Sequence, residues 1–156
     1  MNGIAIRPAT GDELGAVAEL RWDWVLENGG LPAVTREEFT KSFASWAREN
    51  AVTHRCVVMV RDDEIIGMAW LAVVQRVPTP HSPARASGDL QSVYIVPEER
   101  GNGLGSLLID AVLRLAHDRG LERVTVHSSV RAIPAYSRRG FVTSPRLLQA
   151  DLADPT

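Results

Sequence analysis

Three glycines at alternate positions, Gly101, Gly103 and Gly105, join an apolar segment to a strongly amphipathic one. Residues 89–96 are strand-like, whereas the segment from Leu104 onward repeats apolar residues at i, i+3, i+4 and i+7, as a helix does. Glycine reaches backbone dihedrals closed to other residues, and a helix start leaves N–H groups unpaired at the positive end of its dipole. The strand–loop–helix unit therefore predicts a phosphate-binding site.

Two familiar phosphate motifs disagree with the sequence around these glycines. A Walker-type loop needs a lysine directly after its last glycine, but Ser106 and Leu107 follow Gly105. A dinucleotide-binding motif reads GxGxxG and needs an acidic residue at the end of the next strand. This chain reads GxGxG, and its next strand ends at His127-Ser128 without an acid.

A third motif fits: Arg100, Gly103 and Gly105 match (Q/R)xxGx(G/A), the signature of the GCN5-related N-acetyltransferase superfamily, which the chain resembles. A second segment is similar to the AxxxYxxxGF tail of the same family and is matched by Ala132, Tyr136, Gly140 and Phe141. The resemblance covers roughly residues 89–141. It implies a single acyltransferase domain over residues 1–156, of mixed α/β (α+β) class, with a centrally splayed six- to seven-stranded sheet and about four helices.

Composition narrows the range of partners. A chain of 156 residues suits one domain with a sizeable core, and a formal charge of −2 gives no support for nucleic acid as a main partner. No apolar stretch approaches the roughly 20 residues that span a bilayer, so no membrane association is predicted. The lone Cys56 favours a reduced core thiol in a cytoplasmic protein, and the four histidines have no metal-ligand spacing.

Periodicity and turn residues predict the remaining elements. These are strand 4–8, helices 10–27 and 35–50, a hairpin of strands 54–61 and 64–75, loop 78–88, strand 89–96, a helix from Leu104 ended by Gly120, strand 122–127, helix 133–139, and final strands 141–143 and 147–152. Trp22, Trp24 and Trp46 are predicted to be core residues at helical spacing. In the family's fold, those first two helices also form one wall of the acceptor cleft.

The resemblance also implies a co-substrate, acetyl-coenzyme A, with no metal. Loop N–H groups would bind its pyrophosphate, and its pantetheine arm would pair with the splayed strand. The residues expected to bind it are Val93, Tyr94, Ile95, Val96, Arg100, Gly101, Asn102, Gly103, Leu104, Gly105, Ser106, Ser129, Ala132 and Tyr136. Ser129 stands where the family often has asparagine, whose reach is longer.

Two residues are candidates for catalysis. Tyr136 matches the family's tyrosine, which commonly protonates the leaving thiolate; alternatively, its ring serves only packing. Asp89, at the start of the splayed strand, could take the proton of the attacking amine, directly or through water. It could equally be a turn residue after Gly88, with a chain of waters taking the proton instead.

The expected reaction is transfer of acetyl to a primary amine, on a small molecule or a peptide, by direct attack in a ternary complex. Two alternatives stay open: a non-catalytic acyl-coenzyme A sensor, and an acyltransferase that uses a longer acyl group. Homodimers are common in the family, but no residue here specifies an interface. Arg21 falls on the apolar stripe of the first helix, where it meets an acidic protein group, meets an acidic substrate, or extends to solvent.

Overall fold

The computed structural model describes residues 3–153, which form one mixed sheet with helices on both faces. The helices and strands are β1 (Ile4–Pro8), α1 (Leu14–Glu27), α2 (Arg36–Glu49), β2 (His54–Arg61), β3 (Glu64–Gln75), β4 (Ala86–Ile95), α3 (Leu104–Asp118), β5 (Val124–Val126) and α4 (Ile133–Arg138). The strands lie in the order β1-β2-β3-β4-β5. All neighbouring pairs are antiparallel except β4 and β5, which are parallel.

The hairpin β2–β3 turns at Asp62-Asp63, as predicted. Both residues have positive φ, 50° and 64°, and Arg61 faces Glu64 across the turn. Two left-handed residues in succession give the primed turn whose twist matches that of the strands, and aspartate tolerates this conformation better than most residues.

Alternating side chains of the central strands supply two separate cores. Val58 packs beneath α1 and α2, whereas its neighbour Met59 packs beneath α3, because successive strand residues point to opposite faces. Leu108 and Val112 of α3 are fully buried on the second face. The two helical layers therefore fix the sheet between them, with β4 as an interior strand between β3 and β5.

The sheet splays between β4 and β5, as predicted. Only residues 88–90 of β4 pair with residues 124–126 of β5, so residues 91–95 have no strand beside them on that side. On the other side, the register with β3 slips at Ser92, whose φ is 56°, so that Met68 faces Tyr94 but Trp70 faces Gln91. This β-bulge turns the end of β4 away from β5 and opens a gap beside it.

Two predicted strands are wrong, and the sheet has five strands among residues 3–153 rather than six to seven. Residues 141–143 and 147–152 form no strand, and Leu147 and Leu148 lie exposed. Their apolar residues suggested strands, but a strand needs a hydrogen-bonded neighbour, which a local pattern does not supply. Smaller corrections are that β4 begins at Ala86, inside the predicted loop 78–88, and that β5 has only three residues.

The helices follow their sequence signals closely. A 3-10 turn at Gly11–Glu13 precedes α1, and Glu13 there accepts the N–H of Thr10 in a capping box. Gly120, with φ of 71°, follows the end of α3 as predicted. No helix within residues 3–153 combines the length and the apolar character that crossing a membrane requires.

Candidate functional site

The loop between β4 and α3 presents a row of unpaired backbone donors. Gly101 and Gly103 have φ of 86° and 75°, and Gly103 is the N-cap of α3. Within the described part of the chain, no backbone or side-chain acceptor receives the N–H groups of residues 101–106; the first such bond runs from Leu107 to the Gly103 carbonyl. A Cβ built on either glycine would meet no atom within 4 Å. The loop is therefore an open cradle of donors that fits a phosphate group.

A cavity of about 450 Å³ lies between this loop, the unpaired edge of β4 and the last turn of α1. It brings together most of the residues predicted to bind the coenzyme: Val93, Tyr94, Ile95, Arg100, Gly101, Gly103, Leu104, Gly105 and Ser129. The other predicted residues, Val96, Asn102, Ser106, Ala132 and Tyr136, do not line it. The N–H donors of the loop and the free edge of β4 thus line one cavity, which suits a long ligand with a diphosphate at one end.

Arg100 is held inside this cavity by its own chain. Its Nε donates to the Ile95 carbonyl at 2.8 Å, and its guanidinium pairs with the carboxylate of Glu27. Tyr94 Oη donates to the same carboxylate at 2.9 Å. The Arg100 guanidinium keeps the pKa of Glu27 below its usual value, and burial, aided by the Glu27 contact, raises the pKa of Tyr94 to about 12. The positive charge that Arg100 brings to this cavity is therefore already balanced by the carboxylate of Glu27.

Two of the predicted coenzyme contacts are occupied within the protein. The N–H of Val96 donates to the Ile66 carbonyl at 2.9 Å, so it is not free to pair with a ligand. Ser129 does line the cavity, but its hydroxyl oxygen accepts the N–H of Ala132 at 3.3 Å. The Ser129 hydroxyl hydrogen is left as the donor that this position can offer.

Tyr136 lies on α4, with its ring against Phe141 at a centroid distance of 5.3 Å and an interplanar angle of 73°. The ring also packs against the core beneath α3. Its hydroxyl makes no hydrogen bond to any residue between 3 and 153, and burial raises the pKa of the phenol. The side chain therefore carries a protonated, unengaged hydroxyl at neutral pH.

Asp89 lies on β4 with both carboxylate oxygens engaged. Thr125 Oγ1 donates to one oxygen at 2.9 Å, and Gln91 Nε2 donates to the other at 2.9 Å. Asp89 lines neither of the two cavities of the site. The structure gives it a role in holding β4 against β5 where the two strands still pair.

A second cavity, of about 230 Å³, opens on the α1–α2 side of the β4 bulge. It is lined by Arg21, Phe43, Trp46, Trp70, Gln91 and Ser92. The prediction that all three helical tryptophans are core residues is wrong, because none of them belongs to either buried core. Trp46 is 40% exposed and lines this cavity, and Trp24 is 38% exposed and lines the larger one; Trp22 packs on Phe39.

Sequence reasoning missed the residues that α1 and the segment before α4 bring to the larger cavity. These are Trp24, Glu27, Asn28 and Arg131. Trp24 and Glu27 are one helical turn apart and therefore share a face of α1. No pattern in the neighbouring sequence indicates that this face lies beside the loop of residues 101–106. Within residues 3–153, no three His, Cys, Asp or Glu side chains gather in a way that could hold a metal ion.

Comparison with known proteins finds acetyltransferases among the relatives of this chain. The chain is 34% identical over 88 residues to glucosamine 6-phosphate N-acetyltransferase of Trypanosoma brucei brucei, covering 56% of this chain and 58% of that protein. It is 34% identical over 87 residues to mycothiol acetyltransferase of Catenulispora acidiphila, covering 52% of this chain and 26% of that protein. The chain therefore spans less than two thirds of the length of these relatives.

Solved structures share the fold over nearly the whole chain. A predicted acetyltransferase from Clostridium acetobutylicum, solved with acetyl-CoA, superposes with a TM-score of 0.75 at 21% identity and covers 96% of both chains. An acetyltransferase from Trypanosoma brucei gives 0.73 at 24% identity, with 96% of this chain and 99% of that chain covered. Residues 16–141 match the acetyltransferase (GNAT) family, and this chain accordingly belongs to that family.

Proposed function

We propose that the protein transfers an acetyl group from acetyl-coenzyme A to a primary amine by direct attack in a ternary complex. The observation that carries the proposal is the row of unpaired N–H groups at residues 101–106, beside a strand edge that is free over residues 91–95. Bare N–H groups at a helix start suit the pyrophosphate, and a free strand edge suits the amide-containing pantetheine arm. Membership of the acetyltransferase family supports the same assignment.

In this proposal the protein residues orient the two substrates and move protons, whereas the coenzyme supplies a thioester carbonyl. A backbone N–H of Ile95 or of its neighbours donates to the oxygen on which negative charge develops. Tyr136 protonates the departing thiolate, since burial keeps the pKa of its phenol raised and its hydroxyl is unengaged. Water in the open cavities takes the amine proton, because Asp89 lines neither cavity and its carboxylate is held by Thr125 and Gln91.

The names of the relatives favour a small molecule over a peptide as the acceptor. Glucosamine 6-phosphate, named in the trypanosomal relative, is a small primary amine that carries a phosphate. A cytoplasmic location agrees with the partly buried Cys56, whose thiol pKa is raised to about 12 by burial and which is therefore unreactive. A homodimer stays an expectation that sedimentation equilibrium can test.

A steady-state assay of thiol release with acetyl-coenzyme A and a panel of amines tests the proposal. Intersecting initial-velocity lines are expected for a ternary complex, whereas parallel lines would indicate a covalent intermediate. Binding of acetyl-coenzyme A without turnover on any amine would favour the sensor. A larger kcat/KM with a longer acyl-coenzyme A would favour the other alternative.

Tyr136→Phe separates the acid role from the packing role. Phenylalanine keeps the ring contact with Phe141, so packing alone predicts an unchanged rate. Loss of a general acid predicts a fall in kcat of about 100-fold, with little change in the Kd of acetyl-coenzyme A. An unchanged kcat in Tyr136→Phe would remove the tyrosine from the proposed chemistry.

A further inference from the structure

Arg21 is the cationic side chain of the smaller cavity, and within residues 3–153 no carboxylate pairs with it. The three acidic residues of α1 are all engaged elsewhere: Glu19 and Asp23 accept from Arg36, and Glu27 accepts from Arg100. Arg21 is half-buried, and burial lowers the pKa of its guanidinium from the ordinary value of 12.5. Since an arginine stays charged in proteins, this partly desolvated charge stacks on the Trp24 ring but has no anionic partner among residues 3–153.

Aromatic rings form the walls of this cavity. Phe43, Trp46 and Trp70 contact one another with centroid distances of 5.6 to 5.9 Å. Trp70 is 5% exposed, yet its Nε1–H has no hydrogen-bond acceptor within the described residues. An unpaired buried donor is uncommon and costly, so the wall holds a second polar group that lacks a partner. Trp70 Nε1 is closed off from solvent, so Arg21, which lines the cavity, is the group that an anionic acceptor of a ligand can reach.

The smaller cavity adjoins the larger one across the β4 bulge. Gln91 and Ser92 line the smaller cavity, and the next residues of β4, 93–95, line the larger one. Arg21 Cζ also lies 4.2 Å from the ring centroid of Trp24, which belongs to the wall of the larger cavity. A ligand held by Arg21 is therefore placed beside the strand edge that the proposed function assigns to the coenzyme arm.

We propose that the smaller cavity, here called the Arg21 pocket, binds the acceptor, and that this acceptor is a small primary amine bearing an anionic carboxylate or phosphate group. Arg21 pairs with the anion, and the ring walls hold an apolar or ring-shaped body between the anion and the amine. Of the three settings that the sequence raised for Arg21, the structure provides no acidic protein group among residues 3–153, and this proposal assigns Arg21 to an acidic substrate. This inference rests on the proposed function, since it names the substrate class of the same reaction.

Direct binding measurements with two matched pairs of amines test the acceptor class. Phenylalanine against phenethylamine adds a carboxylate, and glucosamine 6-phosphate against glucosamine adds a phosphate. Titrations are followed by intrinsic tryptophan fluorescence, because Trp46 and Trp70 line the pocket. We expect the anion-bearing member of at least one pair to bind about 10- to 100-fold more tightly. The pair that shows this preference identifies the anion as carboxylate or phosphate.

The variant Arg21→Gln should bring that affinity ratio close to one, whereas Arg21→Lys should keep part of it. Arg114→Gln is the matched control, since Arg114 is an exposed arginine of α3, on the opposite face of the sheet, and should leave the ratio unchanged. Equal affinities within both pairs, no measurable binding of any probe, or a ratio that survives Arg21→Gln would overturn the inference. If Arg21→Gln fails to fold, the affinity ratios of the wild-type protein and of Arg21→Lys still test the inference.

A parallel titration with acetyl-coenzyme A keeps the two proposals distinguishable. Acetyl-coenzyme A binding with equal probe affinities overturns the acceptor class alone. A clear anion preference without acetyl-coenzyme A binding overturns the proposed function, while the Arg21 pocket stands as an anion-selective amine site.

Discussion

Alanine at Gly103 and alanine at Gly105 are predicted to change stability in opposite directions, although the two positions are only two residues apart at the start of α3. Gly103 has φ of 75°, a left-handed conformation that costs a residue with a Cβ about 1–2 kcal/mol. A Cβ there would meet no atom within 4 Å, so no steric collision adds to this conformational cost. Gly103→Ala should therefore destabilise the protein by about 1–2 kcal/mol.

Gly105 lies in the first turn of α3 and has no positive φ. Its Cβ would also meet nothing within 4 Å. Alanine at such a position stabilises by about 0.4–1 kcal/mol, chiefly because the unfolded chain loses freedom. The two variants should thus differ by about 1.4–3 kcal/mol, or by several degrees in Tm, since about 2–4 °C corresponds to 1 kcal/mol in a domain of this size.

Urea unfolding measures this difference directly, with the midpoint compared at constant m-value. Gly120→Ala is the matched control, because Gly120 is also left-handed, with φ of 71°, but lies at the other end of α3. Gly103→Ala and Gly120→Ala should lose similar stability, and only Gly103→Ala should also weaken acetyl-coenzyme A binding. Gly105→Ala should keep binding, since the family signature accepts alanine there. A Gly105→Ala protein less stable than Gly103→Ala would refute the reasoning.

Three further substitutions test the electrostatics. Arg7 and the N–H of Thr10 lower the pKa of Glu13 from the ordinary value of 4.5 to about 2. The ionised carboxylate therefore stabilises the folded protein fully above pH 4.5, and this stabilisation is lost as the pH falls toward 2. Glu13→Gln should cost about 1–2 kcal/mol at pH 7, after allowance for solvent screening, and flatten the acid limb of the stability profile; an unchanged limb would contradict this. Glu27→Gln should tighten acetyl-coenzyme A binding several-fold in calorimetry by freeing Arg100, and weaker binding would count against a diphosphate in that cavity. Asp89→Asn should leave the pH profile of kcat unchanged. If the variant lost the acidic limb of that profile, Asp89 would be supported as the general base.

Features fixed by local chemistry were predictable from the sequence. The hairpin turn needed two residues that tolerate positive φ, and Asp62-Asp63 supply them. The open loop of N–H donors needed glycines before a helix with one apolar face, and Gly101, Gly103 and α3 supply them. Each of these signals lies within about a dozen residues, so periodicity and turn chemistry were sufficient.

Features that depend on distant pairing were not predictable. The segment 147–152 carries leucines typical of a strand, yet whether it joins the sheet depends on a partner edge far away in the sequence. The contact of Glu27 with Arg100 joins residues 73 positions apart. Arg21 lines a cavity only because the fold brings aromatic rings of α2 and β3 beside it. Helical spacing placed Trp24 and Trp46 on apolar faces, but the splay of the sheet turned those faces into cavity walls.

Calorimetric titration with acetyl-coenzyme A, set beside acetyl-pantetheine, tests the central claim most directly, because only the coenzyme carries the diphosphate assigned to residues 101–106. We predict saturable binding of acetyl-coenzyme A and at least tenfold weaker binding of acetyl-pantetheine, with the preference lost in Arg100→Glu. At a hundredfold excess over Kd, the coenzyme should raise the free energy of unfolding by about 2.7 kcal/mol. No binding at millimolar acetyl-coenzyme A, or equal affinity for the two ligands, would contradict the assignment of this loop.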